Sequence, residues 1–159
     1  MAKTWKKLGV IALSIGIAEG IGFAAGMLSG DIQATYGALR QPPLAPPDWL
    51  FPVVWGILYA LMGIAAALIY MEEIPKSQKH YALRGYAMQL LINFVWPIVF
   101  FRFEAFVAAA WMLTGLLILV WECYREFRTI RPVAGYLLIP YLIWLLFALC
   151  LNVGVAVLN

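Results

Sequence analysis

Glu19 is the residue with the clearest chemical potential, because it is the only ionisable group near the middle of a long apolar run, LGVIALSIGIAEGIGFAAGMLS. A carboxyl at that depth is a functional-site candidate by default, with a proton-linked role as one option. Alternatively it is an interface carboxyl, bonded by Gln89, Asn93 or Tyr59 or reached by a water-filled cavity. The other reactive side chains offer less. His80 is the single histidine and stands beside Lys79 in a charged connection. Cys123 and Cys150 belong to different apolar runs, and nothing suggests that they pair. No cluster of His, Cys and carboxylates has metal-ligand spacing, and neither a phosphate loop nor a Ser-His-Asp set is visible. The sequence predicts no metal site, no intrinsic cofactor and no nucleophile of its own.

The aromatic and polar residues are arranged with more order. Trp55, Tyr59, Met62, Gly63 and Ala66 recur at one-face helical spacing, as do Gln89, Asn93, Trp96 and Phe100, and then Tyr141, Trp144, Ala148, Leu151 and Asn152. Such stripes serve either as ordinary helix interfaces, with Asn and Gln as interhelical glue, or as the lining of a pocket. Two features favour a pocket. Trp55, Trp96 and Trp144 lie a turn or more inside their runs, deeper than headgroup anchoring requires. Pro97 and Pro140 read as mid-helix prolines that free the carbonyls of Asn93 and Tyr136, and freed carbonyls in a bilayer need partners or a wet cavity. Flat rings with a few polar groups suit a large, planar, mostly apolar ligand.

The elements that carry these residues follow from composition. The chain has 159 residues, 65% hydrophobic and 12% charged, with seven Trp and a mean hydropathy of +0.88. Soluble domains have about 25% charged residues, so this is a membrane protein, and a disordered chain, a nucleic-acid binder and a disulfide scaffold are excluded. Segments such as LYALMGIAAALIYM and AAAWMLTGLLILVW are apolar on every face, which excludes the in/out alternation of a barrel. The predicted fold is all-α: a single-domain, five-helix transmembrane bundle with spans near 8–29, 49–71, 81–101, 105–123 and 133–158. The first is expected to be a retained span, longer than the core of a cleaved signal peptide. Nine of the eleven basic residues, from Lys3, Lys6 and Lys7 to Arg131, fall on one side, and only Arg40 and Arg102 on the other. That asymmetry predicts a cytoplasmic N-terminus and an external C-terminus. The external segment 30–48, GDIQATYGALRQPPLAPPD, is the one connection with room for a lid. Asp48 is expected to cap the second span, with Pro52 at its fourth helical position. Gly16 with Gly20, and Gly22 with Gly26, form small-xxx-small pairs suited to close contact within the bundle or in a dimer.

Tyr36-Gly-Ala-Leu, Pro42, Pro46-Pro47-Asp-Trp49, Trp55-Gly-Ile-Leu-Tyr59, Met62-Gly63, Gln89, Asn93, Trp96-Pro97, Phe100-Phe101, Pro140-Tyr141-Leu-Ile-Trp144, Phe147-Ala148 and Leu151-Asn152 together resemble the signature of the TspO/MBR family, the tryptophan-rich sensory and translocator proteins. The resemblance covers residues 30–155 well and the first span loosely. It implies a five-helix protein of the bacterial cytoplasmic membrane, multi-pass and commonly a homodimer, with a pocket beneath the first loop. Ligands of the family are porphyrins such as protoporphyrin IX, other tetrapyrroles, synthetic isoquinoline carboxamides and, in animals, cholesterol. By position, Trp55, Tyr59, Asn93, Trp96, Trp144, Ala148 and Leu151 match its pocket, and Pro46, Pro47 and Trp49 its closing loop.

Two positions depart from the pattern. Leu44 stands where many members have Trp. The ending VGVAVLN lacks the Tyr and the basic residue of the animal cholesterol motif, which argues against a sterol site there. The short chain is expected for a bacterial member. Binding of a tetrapyrrole is the leading expectation. Light-dependent oxidation of bound porphyrin, with Trp55 or Trp144 passing an electron, is the enzymatic alternative. Transport and a scaffolding role complete the set.

Overall fold

A computed structural model describes residues 2–159, with side chains from Thr4 onward; the side chain of Lys3 lies outside the described residues. The elements are α1 (Ala2–Leu28), α2 (Ile32–Ala38), α3 (Leu50–Met71), α4 (Lys76–Pro97), a π-turn (Ile98–Arg102), α5 (Phe106–Ile130), α6 (Pro132–Tyr136) and α7 (Ile139–Leu158). Five of the described helical stretches are long and apolar enough to cross a membrane: Thr4–Leu28, Leu50–Met71, Lys76–Arg102, Phe106–Ile130 and Pro132–Leu158. The protein is a multi-pass membrane bundle, all-helical in its described residues. α1 packs on α3 and α4, α4 on α5, α5 on α6 and α7, and α6 returns to α3. The core runs down the middle through Met62, Leu113, Leu116, Val120, Tyr141 and Leu145, all fully buried.

The helices differ from the sequence expectation mainly at their ends. α4 begins at Lys76 rather than Tyr81, because Pro75 fixes an extended backbone and its carbonyl accepts the Lys79 N–H at 3.1 Å. α5 continues to Ile130, well past Cys123. Charged residues stop a membrane span but not a helix, so Glu122, Arg125 and Arg128 simply carry the helix out of the apolar layer. α3 is capped by Trp49 rather than Asp48, which puts Pro52 at the third helical position; the Asp48 carboxylate accepts the Trp49 N–H at 2.8 Å.

Both prolines assigned mid-helix positions sit instead at boundaries. Pro140 is the second residue of α7, after a break at Leu137 and Leu138, so its missing N–H interrupts nothing. Pro97 ends α4 and the chain widens there, with Phe103 N–H donating five residues back to the Ile98 carbonyl at 3.2 Å. Single π-turns of this kind absorb a lost helical bond and often lie at binding sites.

The segment between the first two spans is not free of structure. Gly30, at φ 83°, turns the chain out of α1 in a conformation that favours glycine. Asp31 then caps α2, its carboxylate accepting the Ala34 N–H at 3.0 Å. On the opposite side of the bundle, Arg131 pairs with Glu72 at 2.7 Å and ties the α5–α6 corner to the end of α3.

Candidate ligand-binding cavity

The α4 stripe is the spine of the interior. Gln89 and Asn93 are buried, and Trp96 nearly so. The Tyr141 hydroxyl donates to Gln89 Oε1 at 2.9 Å, and Gln89 Nε2 donates to Met62 Sδ at 3.7 Å. Asn93 Nδ2 donates to the Tyr59 oxygen at 3.3 Å. Trp96 Nε1 donates to Asn152 Oδ1 at 3.2 Å, and Asn152 Nδ2 to the Phe106 carbonyl at 2.8 Å. One helix therefore bonds to α3 on one side and α7 on the other through Gln89, Asn93 and Trp96, whereas the buried Tyr86 hydroxyl of the same helix has no partner among the described residues.

Between this spine, α3 and α1 lies a cavity of about 460 Å³. Trp55, Tyr59, Trp96 and Phe101 give it aromatic walls, Asn93 a polar patch, and Phe23, Gly26 and Met27 of α1 an apolar side. Its size falls within the range of small-molecule sites, about 300–1,000 Å³. The Trp55 ring stands 5.7 Å from Tyr59, 6.4 Å from Trp96 and 6.1 Å from Tyr141, so four rings of three helices cluster at one wall. Gly22 permits this, because a Cβ there would strike the Tyr59 ring.

Four of the seven tryptophans, Trp5, Trp49, Trp111 and Trp121, face outward, while Trp55, Trp96 and Trp144 turn in. The three do not share one space. Trp144 meets Phe51 edge-on at 6.0 Å, and Phe51, not Trp144, lines the cavity. Ala148 and Leu151 line a separate crevice of about 20 Å³ with Trp96, Phe100 and Asn152. The expected grouping of Trp55 with Trp144, Ala148 and Leu151 on one ligand is thus divided by Phe51 and Trp96.

The closing segment differs in its parts too. Trp49 is 61% exposed, and Pro46, Pro47 and Trp49 are outside the lining; Ile32, Gln33 and Tyr36 of α2, with Asp48, roof the cavity. Pro46 acts indirectly, its carbonyl accepting the Tyr36 hydroxyl at 2.7 Å. Burial, with the Asp48 carboxylate nearby, raises the Tyr36 phenol above the ordinary tyrosine range. A raised folded-state value means that this tie is complete at neutral pH and lost only as the pH climbs through that elevated range. At the base of the loop, Arg40 N–H donates to Asn159 Oδ1 at 2.9 Å and Asn159 Nδ2 donates to the Arg40 carbonyl at 3.1 Å. Pro42 packs on Gly154 of α7.

Glu19 lines the cavity, but the partners expected for it are taken: Asn93 bonds Tyr59, and Gln89 bonds Tyr141 and Met62. The glycine pairs of α1 also separate. Gly22 faces Tyr59 inside the bundle, whereas Cβ atoms at Gly16 and Gly20 would meet nothing within 4 Å. His80 is exposed; Cys123 is buried and Cys150 exposed, both as free thiols.

The lining residues that sequence reasoning did not find include Phe23 and Met27 of α1, Ile32 and Gln33 of α2, and Phe51 of α3. In a helix facing lipid, an apolar residue that lines a cavity carries no distinguishing signal, and Gly26 gave only a weak one.

Comparison with known proteins bears on what such a cavity holds. The sequence model of the TspO/MBR family matches residues 14–158. The tryptophan-rich protein TspO of Chlorobaculum tepidum is 33% identical over 155 residues, covering 97% of this chain and 98% of that protein. The translocator protein of Homo sapiens is 32% identical over 158 residues, 96% of this chain and 89% of that one. Protein CrtK of Rhodobacter capsulatus is 32% identical over 126 residues, 79% of each.

Proposed function

Because the chain belongs to the TspO/MBR family, we propose that it binds a tetrapyrrole such as protoporphyrin IX, or another flat haem-pathway intermediate, in the cavity between α1, α3 and α4. The observation that carries this reading is the aromatic wall: about 460 Å³ of mostly apolar space lined by Trp55, Tyr59 and Trp96, with Asn93 as the polar mark. A macrocycle buries its area against such rings, and each aromatic pair adds about 0.5–1.5 kcal/mol beyond that burial. Isoquinoline carboxamides, flat and apolar, suit the same space and serve as competitors.

The distribution of Lys and Arg supports a cytoplasmic membrane location with the N-terminus inside, which places α2 and the cavity roof on the external side. The outward glycines Gly16 and Gly20 leave room for a second copy against α1.

Quenching of tryptophan fluorescence by protoporphyrin IX in detergent tests the site. Trp55→Ala is expected to weaken binding about tenfold, the equivalent of about 1.4 kcal/mol. Trp144→Ala, behind Phe51, is expected to change it by less than about threefold, roughly 0.6 kcal/mol. Equal affinity in wild type and Trp55→Ala removes the assignment.

A further inference from the structure

A second cavity, of about 310 Å³, opens between α4 and α5 at the end of the bundle opposite the aromatic site. Arg84 and Met88 line it from α4, and Leu119, Glu122 and Glu126 from α5, at spacings that put each set on one helix face. The two helices come together at Gly85, where a Cβ would stand 3.4 Å from the Cys123 sulfur. Tyr81, which also lines the cavity, and Trp121, next in sequence to Glu122, are exposed rings of the kind that mark the headgroup level of a bilayer. Further along the same helices the exposed side chains Met88, Leu91 and Ile118 are all apolar.

The wall carries charges of both signs, Arg84 and Arg125 with Glu122 and Glu126. Arg125 and Glu122 meet at 3.3 Å, one turn apart on the same helix and both exposed. A pair of that kind is worth little and exchanges readily for other partners. Arg84 and Glu126, of opposite sign and on facing helices, have no ionic partner among the described residues. A simple anion in this cavity would meet two carboxylates, and a simple cation two guanidinium groups. A zwitterion satisfies both. Phosphate oxygens match the forked donors of arginine, and a primary ammonium brings N–H donors to the carboxylates.

We infer that this cavity holds a phospholipid with a zwitterionic, primary-amine headgroup. Its phosphate lies against Arg84 and Arg125, its ammonium against Glu126 and Glu122, and its chains run over the exposed apolar side chains of α4 and α5. The inference concerns the opposite end of the molecule from the aromatic cavity and stands apart from the tetrapyrrole reading.

The test exchanges the full-length protein into micelles holding equimolar phosphatidylethanolamine, phosphatidylcholine and phosphatidylglycerol with identical chains, and counts the retained lipids by native mass spectrometry. Wild type is expected to retain phosphatidylethanolamine about fivefold over each of the others, because choline has no N–H donor and glycerol no cation. Glu126→Gln is expected to reduce the preference over phosphatidylglycerol to about twofold, and Arg84→Gln to lower retention of all three lipids about threefold. Lys76→Gln removes a positive charge from α4 outside the cavity and is expected to change nothing, which separates a built site from general attraction to a basic surface.

The comparison within wild type needs no substitution, so it decides even where a variant is unstable. Equal retention of the three lipids, or a preference for phosphatidylglycerol, overturns the inference, as does a preference that survives both Glu126→Gln and Arg84→Gln. Glycerophosphoethanolamine, the same headgroup without chains, is expected to displace none of the bound lipid even in large excess. Displacement would assign the cavity to a soluble phosphodiester instead and overturn the lipid reading.

Discussion

Gly63→Ala is expected to lower the unfolding midpoint of the protein in detergent by roughly 6–12 °C. The reason is local and steric. Gly63 lies where α3 crosses α1, and a Cβ there would stand 2.6 Å from Ile15 Cα, 2.8 Å from Ile15 N and 3.0 Å from the Ser14 carbonyl carbon. These are backbone atoms, so no rotamer change relieves the clash and the two helices must separate. Overpacking of this kind costs about 1–3 kcal/mol, and a chain of this size loses about 2–4 °C per kcal/mol. Separation also gives up dispersion contacts along the most extensive helix pair of the bundle, which places the effect at the upper end. Gly9→Ala is the matched control, since its Cβ meets nothing within 4 Å. A Gly63→Ala melting curve that overlays both wild type and this control would show that α1 and α3 are not in close contact at that point.

Gly26→Leu is expected to act in the opposite sense: ligand binding falls more than tenfold while the midpoint holds or rises slightly. Gly26 lines the cavity, yet a Cβ there meets nothing within 4 Å. A leucine side chain has open space to enter and occupies volume a ligand would use. Replacing a helical glycine contributes up to about 1 kcal/mol through backbone entropy. Gly22→Leu, one turn earlier, loses both properties, because its Cβ strikes the Tyr59 ring. Porphyrin quenching and thermal melting on the same two samples separate a plugged cavity from a damaged one. Full affinity in a stable Gly26→Leu protein would move the ligand site elsewhere.

The contrast between these glycines also explains what the sequence made legible. The spans were visible because runs of some twenty apolar residues have no other use in a chain with so few charges. The polar stripe of α4 was visible because Gln89, Asn93 and Trp96 are conspicuous against an apolar background, and all three are buried. Close helix contact was also anticipated from the glycine pairs of α1, and Gly22 makes one against the Tyr59 ring, whereas Gly63 of α3 makes the closest approach to another helix's backbone. Spacing shows that a glycine permits approach and is silent about which helix approaches.

The same limit governs the cavity. A stripe that packs against a neighbour and a stripe that lines an empty space have the same periodicity, so Trp144, Ala148 and Leu151 were indistinguishable from Trp55. What separates them is Phe51, which stands between Tyr36 of the first connecting segment and Trp144. That segment holds the seven-residue helix α2, too short for any period to reveal among its glycines and prolines.

The polar spine has a further meaning for biosynthesis. α4 is the least apolar of the five spans, since the stripe that bonds the interior takes the place of hydrocarbon. Its partition from the translocation machinery into lipid is correspondingly the weakest. The groups that make it so, Gln89, Asn93 and Trp96, find their partners on α3, made earlier, and on α7, made last. The hydrogen bonds that satisfy this span's polar stripe are therefore complete only once the final helix is in place.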